Sequence, residues 1–341
     1  MRYSVCGVFP VPPKLRLPTQ ITGFSNRVAF KICQSYNLCL IVNTIWYRND
    51  MGRSKILIIG VKIRHFFLIL SLKTENMTVK DILNCITEIA PLQWQESYDN
   101  AGLQVGDVNA ETRKALICLD ITEKVVDEAV TKHCDLIISH HPLIFRGLKH
   151  LTPETYIERA VMKAIKHDIA MISMHTNLDN SFQGVSRVLA EKLGLKNLHI
   201  LQPLTSEPDL CGAGMVGEFE IAMEEIDFLS LVADTIGASC LRHSALTGKK
   251  IQKVALCGGS GSPFMADATR CGADAYLTAD IKYHDFFVPE GNILLVDGGH
   301  FETEQFTKEL LCKLIRKKFP TFAAEIAETK TNSVHYFVKN K

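Results

Sequence analysis

From residue 77 onward, short apolar runs alternate with amphipathic segments, and this alternation constrains the fold more than any other feature of the sequence. The runs are nearly continuous in aliphatic residues, as in strands that are buried on both faces of a sheet. The segments between them place apolar residues three or four positions apart, which is typical of helices that pack on a sheet. The sequence therefore predicts an α/β fold. The predicted strands are 115–119, 136–138, 169–174, 214–221, 254–257, 274–277 and 293–296, and the predicted helices are 78–89, 123–132, 154–166, 184–193, 226–236, 263–270 and 302–316.

The predicted elements fall into two halves that are weakly similar. Residues 126–141 and 265–284 each contain a helix, a turn with Cys and Asp, a strand and a polar end with His. Because the match is mainly one of secondary structure, both an internal duplication and a coincidence stay open. We predict two similar lobes: lobe one spans about 77–200 together with about 290–341, and lobe two spans about 205–290.

The first 76 residues follow no comparable pattern and carry a different charge. They hold eleven Lys or Arg against two acidic residues, a net charge of +9, whereas the remainder holds 27 basic and 35 acidic residues, a net charge of −8. The apolar run 56–72 contains Lys62, Arg64 and His65, and a membrane-spanning helix needs about 20 mostly uncharged residues. We therefore predict that residues 1–76 are a basic extension, disordered or dispensable, with a transit peptide as the alternative.

The cysteines and the overall charge exclude several classes of protein. The 11 cysteines contain no C-x-x-C pair, so we expect free thiols in a reducing compartment and a cytoplasmic protein, not a disulfide framework or a thiolate zinc site. The net charge of +1 gives no reason to expect nucleic-acid binding, which would need a local basic patch.

Ligands of α/β proteins bind at the carboxyl ends of the strands. Three predicted strands, 136–138, 169–174 and 293–296, are followed there by imidazole or carboxylate side chains. Each has an ordinary alternative, because paired histidines are often incidental and acidic residues often cap turns or helices. His175 also competes with Asp179 as the ligand from its segment. The candidate ligands are His140, His141, Asp179, His300 and Glu304.

Three imidazoles and two carboxylates are too many for one tetrahedral ion with an open position. They suit two ions about 3.5–4 Å apart with a carboxylate between them, an arrangement that polarises a substrate oxygen and activates water. His300 and Glu304 are four residues apart at the start of a predicted helix, so their side chains share one face. Mixed nitrogen and oxygen ligands are compatible with zinc, iron, manganese, cobalt or nickel. The sequence therefore predicts a site for two divalent metal ions.

Weaker candidates lie near the same strand ends. The stretch CGGSGS at 257–262 could cradle a phosphate, or it could be a close-packed turn. Arg146 and Lys149 could neutralise a substrate phosphate, or they could be solvated loop charges. Asp280, Lys282 and His284 follow another predicted strand and could support the ligands or exchange protons with the substrate. Asp99 lies in a predicted turn, although it could enter the cleft.

Five stretches, in chain order, resemble the Nif-three-like family, whose members are often named GTP cyclohydrolase I type-two homologues. They are DNAGLQVG at 99–106, SHHPLIF at 139–145, HTNLD at 175–179, TADIKYH at 278–284 and DGGHFETE at 297–304. The resemblance covers residues 77–341 and leaves out residues 1–76. It implies two similar α/β lobes that form one unit around a central dinuclear metal cleft, commonly in a toroidal homohexamer. The family's metal ligands match His140, His141, Asp179, His300 and Glu304.

The resemblance also implies an activity. It points to a metal-dependent hydrolase whose small-molecule substrate is a nucleotide or a related phosphorylated compound, with GTP ring opening as the activity in the family's name. His284 is the candidate catalytic residue. The alternative is a non-catalytic metal-binding adaptor or regulatory protein, because some eukaryotic relatives are linked to transcriptional partners. Neither hypothesis includes a membrane.

Overall fold

The computed structural model describes residues 77–206 and 210–337 and, before them, six short strands. The chain divides into two compact units, Met1–Glu75 and Asn76–Lys341. In the first unit, Val5–Phe9, Val28–Cys33 and Leu38–Val42 form one antiparallel sheet, and Ser25–Asn26, Thr44–Arg48 and Ser54–Ile58 form another. Apart from these strands, the prediction of a dispensable extension falls outside the described residues, and so does most of the apolar run 56–72. Among the described helices, none has both the length and the apolar character that crossing a bilayer requires.

The second unit contains the predicted alternation of strands and helices. Its strands are β1 (Gly102–Val105), β2 (Lys114–Cys118), β3 (Leu136–Ser139), β4 (Ala170–Ser173), β5 (Lys196–Pro203), β6 (Gly212–Met223), β7 (Arg242–His243), β8 (Ile251–Ser260), β9 (Ala275–Ala279), β10 (Leu294–Asp297) and β11 (Ala323–Ile326). Its α-helices are α1 (Val79–Thr87), α2 (Glu123–Thr131), α3 (Tyr156–Lys166), α4 (Thr176–Asp179), α5 (Val185–Leu193), α6 (Glu225–Ile236), α7 (Met265–Arg270), α8 (His300–Glu304) and α9 (Thr307–Lys318). Short 3₁₀ helices lie at Leu92–Trp94, Ser262–Phe264 and Tyr283–Phe287.

The strands form two sheets. The first has the order β11-β2-β3-β4-β1, in which all neighbours are parallel except β1, which is antiparallel to β4 at the edge. The second has the order β5-β6-β8-β9-β10-β7, with β8, β9 and β10 parallel and the outer strands antiparallel. The predicted α/β fold class is therefore confirmed, and the antiparallel edge strands add to it.

Both faces of each sheet are buried, as the apolar runs predict. In β3, Leu136 and Ile138 pack in the cluster that α1 and α9 share, whereas Ile137 packs against α2 and α3 on the opposite face. This division follows from the alternation of side chains along a strand. In the second sheet, Leu256 faces the cluster with α5 and α6, whereas Ala255 faces the cluster with α7. The helices therefore hold the strand ends in fixed positions.

Two predicted boundaries differ from the structure. The predicted helix 302–316 is two helices, α8 and α9, separated at Gln305, whose side-chain amide donates to the Ile236 carbonyl (2.7 Å). Strand β10, which we placed with lobe one, pairs with β9 in the second sheet, and β5 also pairs there. Helix α9 and strand β11 do belong to the first sheet and its core. The division into two lobes otherwise stays a prediction.

The eight cysteines among the residues from 77 to 206 and 210 to 337 are free thiols, and Cys240 alone of these eight is exposed. This agrees with the expectation of free thiols. The cytoplasmic location and the absence of nucleic-acid binding stay predictions.

Candidate metal centre

The candidate ligands follow three strands whose carboxyl ends meet between the two sheets. His140 and His141 come directly after β3, and Asp179 ends α4, the short helix after the neighbouring β4. His300 and Glu304 begin and end α8, which follows β10 of the second sheet. The structure therefore brings together five side chains that lie up to 164 residues apart in the chain.

Glu304 is at the centre of this group and is almost fully buried, with 3 % of its surface exposed. Its Oε1 lies 3.6 Å from Nε2 of His140, and its Oε2 lies 2.9 Å from Nε2 of His141 and 3.0 Å from Nε2 of His300. The two carboxylate oxygens thus face different histidines. Ligand atoms of His140, His141 and Glu304 all lie within 4.8 Å of one another, a grouping that could hold a metal ion.

The surroundings of His140 show whether these residues fit a metal ion. Its Nδ1 lies 2.7 Å from the Met174 carbonyl oxygen, which can only accept, so Nδ1 carries a proton and the neutral ring presents the Nε2 lone pair. This Nε2 is buried without a hydrogen-bond partner, and the same holds for Oδ1 of Asp179, 3.5 Å away. Buried polar atoms in proteins are nearly always paired. Two unpaired ligand atoms that face each other fit a cation as their common partner.

The other two histidines are oriented in the same way by carboxylates. Nδ1 of His141 lies 2.7 Å from Asp120, and Nδ1 of His300 lies 2.7 Å from Asp280. Metal-bound histidines usually donate their other ring N–H to such a group, which fixes the ring and turns its Nε2 toward the metal. Asp280 adopts a left-handed backbone (φ +56°), an uncommon conformation outside glycine that often occurs at functional sites.

Asp120 was missed by the sequence analysis, although a signal for it exists. It lies two residues beyond β2, the neighbour of β3 in the first sheet, so it follows the same rule of strand ends that identified the other residues. The strand 115–119 was predicted, and Asp120 follows it directly. No histidine lies beside Asp120 in the sequence, so its carboxylate did not stand out as a ligand or as a partner of one.

His175 lies beside the five candidates and has its own carboxylate. Its Nδ1 is 2.8 Å from Oδ1 of Asp99, whose Oδ2 accepts the backbone N–H of Thr176. Although burial raises the pKa of Asp99, the hydrogen bonds from His175 and Thr176 lower it to about 2. The His175 ring centroid lies 5.5 Å from those of His140 and His141. Asp99 therefore reaches the cleft and holds this imidazole against the others.

The charges in this cluster are strongly coupled. Burial opposes protonation of His141, but hydrogen bonds to Asp120 and Glu304 outweigh it and raise its pKa to about 9. His300 has the same balance, with Asp280 and Glu304 as partners, and its pKa rises to about 11. Burial, reinforced by the neighbouring Glu304, raises the pKa of Asp179 to about 8. In the metal-free protein, the positive charge on His141 and His300 thus balances the charge of the carboxylates around them.

The metal-free protein is expected to lose stability as the pH rises from 6.5 to 9. The folded chain keeps the His141 proton up to pH about 9, whereas the unfolded chain releases it near 6.5. A group whose pKa is raised by folding stabilises the folded state fully at pH values below its pKa in the unfolded chain. This stabilisation is lost as the pH rises through its pKa in the folded chain. His300 and Asp179 have the same sign. The midpoint of thermal unfolding of the chelator-treated protein should fall by about 5 °C or more between pH 6.5 and pH 9. A midpoint that stays constant or rises over this range contradicts the prediction.

The weaker candidates have different positions. In the CGGSGS stretch, residues 257–260 belong to β8, and two amides are engaged within the protein: the N–H of Gly258 donates to Ser186 and that of Gly259 to Thr303. These bonds occupy two of the amides that a phosphate cradle would use. Arg146 and Lys149 are exposed. His284 is exposed in the 3₁₀ helix Tyr283–Phe287, and its catalytic role stays a prediction.

A cavity of about 670 Å³ opens beside the cluster. His141, His175 and His300 lie in its wall, together with the supporting carboxylates of Asp120 and Asp280. Aromatic side chains and residues 331–334 and 336 form much of the rest of the wall. Among the residues that the structure describes, His284 does not line the cavity. Further lining residues are Phe145, Cys240, Arg242, Asp297, Phe301, Glu302, Thr331, Asn332, Ser333, Val334 and Tyr336.

The fold and the cluster together define a class: a two-sheet α/β protein with a buried histidine–carboxylate group that could bind metal at the meeting point of its strand ends. The profile of the Duf34/NIF3 (NGG1p interacting factor 3) family matches residues 77–333. The chain belongs to this family.

Relatives and solved structures agree with this assignment. The chain is 37 % identical over 233 residues to a Clostridium perfringens protein named GTP cyclohydrolase 1 type 2 homolog, covering 67 % of this chain and 87 % of that protein. A Clostridium acetobutylicum protein of the same name is 35 % identical over 67 % of this chain and 86 % of its own length. The crystal structure of the Staphylococcus aureus hypothetical protein SA1388 has a TM-score of 0.73 and 30 % identity, over 77 % of this chain and all of that one.

Proposed function

We propose that this chain binds two divalent metal ions and is a metal-dependent hydrolase that acts on a nucleotide or a related phosphorylated compound. The observation that carries the proposal is the arrangement around Glu304, because its two oxygens face separate sets of ligand atoms. His140 and Asp179 would hold one ion with Oε1, and His141 and His300 would hold the other with Oε2. Such a carboxylate between two ions is typical of binuclear hydrolytic sites.

The bound ions would supply Lewis-acid polarisation of a substrate oxygen and would activate water. The chain's own residues supply the binding. Phe145, Phe301 and Tyr336 line the cavity and could pack against a heteroaromatic ring. The guanidinium of Arg242, also in the wall, donates to Asp297 (3.0 Å) and to the Ile281 carbonyl (2.9 Å), and its other N–H groups could bind an anionic group of the substrate. These groups favour a substrate that combines a ring with a phosphate.

The test is metal stoichiometry together with turnover. Elemental analysis of the loaded protein should give two ions per chain, and GTP and other nucleotides should be converted, as followed by chromatography and phosphorus NMR. The Asp179→Asn variant keeps the size of the side chain and should lose one ion and reduce turnover about 100-fold or more. The His284→Gln variant should keep both ions, and a fall of about 100-fold in kcat would support its role in proton transfer.

Two outcomes contradict parts of this proposal. Turnover that Asp179→Asn leaves unchanged comes from a contaminant. Two bound ions without turnover over the whole panel favour the alternative, a metal-binding adaptor. That alternative is supported by exposed apolar side chains next to His284, namely Tyr283, Phe287 and Val288, of which Tyr283 is 70 % exposed. Such a patch fits a protein partner or another copy of the chain, as in the homohexamer that the family resemblance implies.

A further inference from the structure

After β11 of the first sheet, the chain continues along the wall of the cavity. We call residues 328–336 the C-terminal strap. At its start, the backbone N–H groups of Glu328 and Thr329 donate to the two carboxylate oxygens of Glu128 on α2 (2.8 and 2.9 Å). Five residues of the strap, from Thr331 to Tyr336, then line the cavity beside the metal centre. The strap is therefore fixed to α2 before it reaches the cavity.

One side chain of the strap is connected to a candidate metal ligand through a single carboxylate. The Thr331 hydroxyl donates to Oδ2 of Asp120 (2.8 Å), and the other oxygen of that carboxylate accepts from Nδ1 of His141 (2.7 Å). The Asp120 side chain is 35 % exposed, so without Thr331 it would be free to rotate or to bind water. The hydroxyl thus restricts the carboxylate, and the carboxylate restricts the imidazole.

The next residue connects the strap to the opposite side of the site. Nδ2 of Asn332 donates to Oε1 of Glu302 (2.9 Å), and Oδ1 of Asn332 accepts the Val334 N–H (3.0 Å). Glu302 lies on α8, between His300 and Glu304. The strap therefore bonds both to the group that orients His141 and to the helix that carries the other ligands facing it.

We propose that Thr331 is a positioning residue of the metal centre: it holds Asp120 so that His141 presents Nε2 to the metal. The inference rests on the metal binding of the proposed function and not on catalysis. Residues that orient metal ligands from outside typically change metal affinity about 10–100-fold when they are removed. Because Thr331 acts one bond further away, its removal should weaken binding about 3–10-fold, at the ion that His141 and His300 share.

The experiment is a titration of the metal-free, full-length chain with Co²⁺, followed by calorimetry and by visible absorption, which reports the ligand geometry. Thr331→Val keeps the shape and loses the hydroxyl, so it should weaken one of two binding events and shift the absorption bands. Thr331→Ser keeps the hydroxyl and should restore both. Thr329→Val is the matched control, because the Thr329 hydroxyl makes the same kind of bond to Glu128, which has no contact with the histidines.

The outcomes separate this inference from the proposed function. A wild-type chain that takes up no Co²⁺ overturns the metal centre and the inference with it. A wild-type chain that binds Co²⁺ while Thr331→Val titrates identically overturns the inference alone. If Thr329→Val weakens binding as much as Thr331→Val, the effect comes from loosening the strap in general, and the specific role of Thr331 is wrong.

Discussion

The Glu304→Gln variant is expected to lose most of its bound metal, with affinity reduced at least about 100-fold for both ions. The substitution keeps the size of the side chain but removes its charge and half of its acceptor capacity. Because the two oxygens of Glu304 face His140 on one side and His141 and His300 on the other, both halves of the site depend on it. Elemental analysis after dialysis and a calorimetric titration with Mn²⁺ measure the loss.

The same variant should change the metal-free protein as well. Burial disfavours the charged form of Glu304, but the adjacent histidines more than compensate and hold its pKa well below the usual range. Removing one partner from a buried charge pair typically costs about 3–5 kcal/mol. The variant should therefore unfold at a lower urea concentration, and its dependence on pH between 6.5 and 9 should become weaker, since His141 and His300 lose their common acceptor.

Glu302→Gln is the control for this experiment. It makes the same chemical change two residues away on α8, on a side chain whose hydrogen bond goes to Asn332. Because a Gln amide oxygen still accepts that bond, we expect metal content and stability close to the wild type. If Glu304→Gln retains two ions with wild-type affinity, Glu304 does not hold metal and the dinuclear proposal is wrong.

The sequence predicted the site's components better than its geometry. Periodicity located β3, β4 and β10, and the rule of strand ends then selected His140, His141, Asp179, His300 and Glu304, which the structure brings together. The sequence left the ligand from the HTNLD stretch open between two residues. Oδ1 of Asp179 lies 3.5 Å from Nε2 of His140, 39 residues earlier, and neither atom has a hydrogen-bond partner, which favours Asp179. A contact between distant segments has no signature in local sequence.

The edge strands were missed because the information that makes them strands is not local. β7 consists of two exposed residues, which pair with β10. β5 is a mixed run of polar and apolar residues whose pairing with β6 compensates for its partial exposure. β11 is four residues long and becomes a strand beside β2, far away in sequence. Apolar patterns reveal buried central strands, whereas edge strands depend on their partners.

One stretch that the sequence left open between a phosphate cradle and a close-packed turn has a direct role in the site. Gly259 has a left-handed backbone (φ +62°), and a Cβ there would lie 2.0 Å from Oε1 of Glu304. Its N–H donates to the hydroxyl of Thr303, and its carbonyl accepts from that of Thr278, both at 3.0 Å. The backbone is held from both sides, so it has little freedom to move away. The glycine therefore makes the space that the carboxylate occupies.

The Gly259→Ala variant is accordingly expected to displace the Glu304 carboxylate and to reduce metal affinity about 100-fold or more. Separations below 3.0 Å are not adopted by real Cβ atoms, so the carboxylate must rotate away from His140 and the other histidines. A left-handed backbone adds about 1–2 kcal/mol of strain for alanine. The free energy of unfolding of the metal-free protein should therefore fall by about 2–4 kcal/mol in urea denaturation, and a Mn²⁺ titration measures the affinity.

Gly272→Ala separates the two causes of this effect. Gly272, just after α7, has a similar left-handed backbone (φ +74°), but no atom lies within 4 Å of the place where a Cβ would be. This variant should show only the backbone strain, about 1–2 kcal/mol, with unchanged metal affinity. The difference between the two variants is then the contribution of the contact with Glu304. If Gly259→Ala binds metal as tightly as Gly272→Ala, Gly259 does not confine the Glu304 carboxylate. The metal site would then tolerate a displaced Glu304, and the dinuclear proposal, which needs both of its oxygens in place, would be wrong.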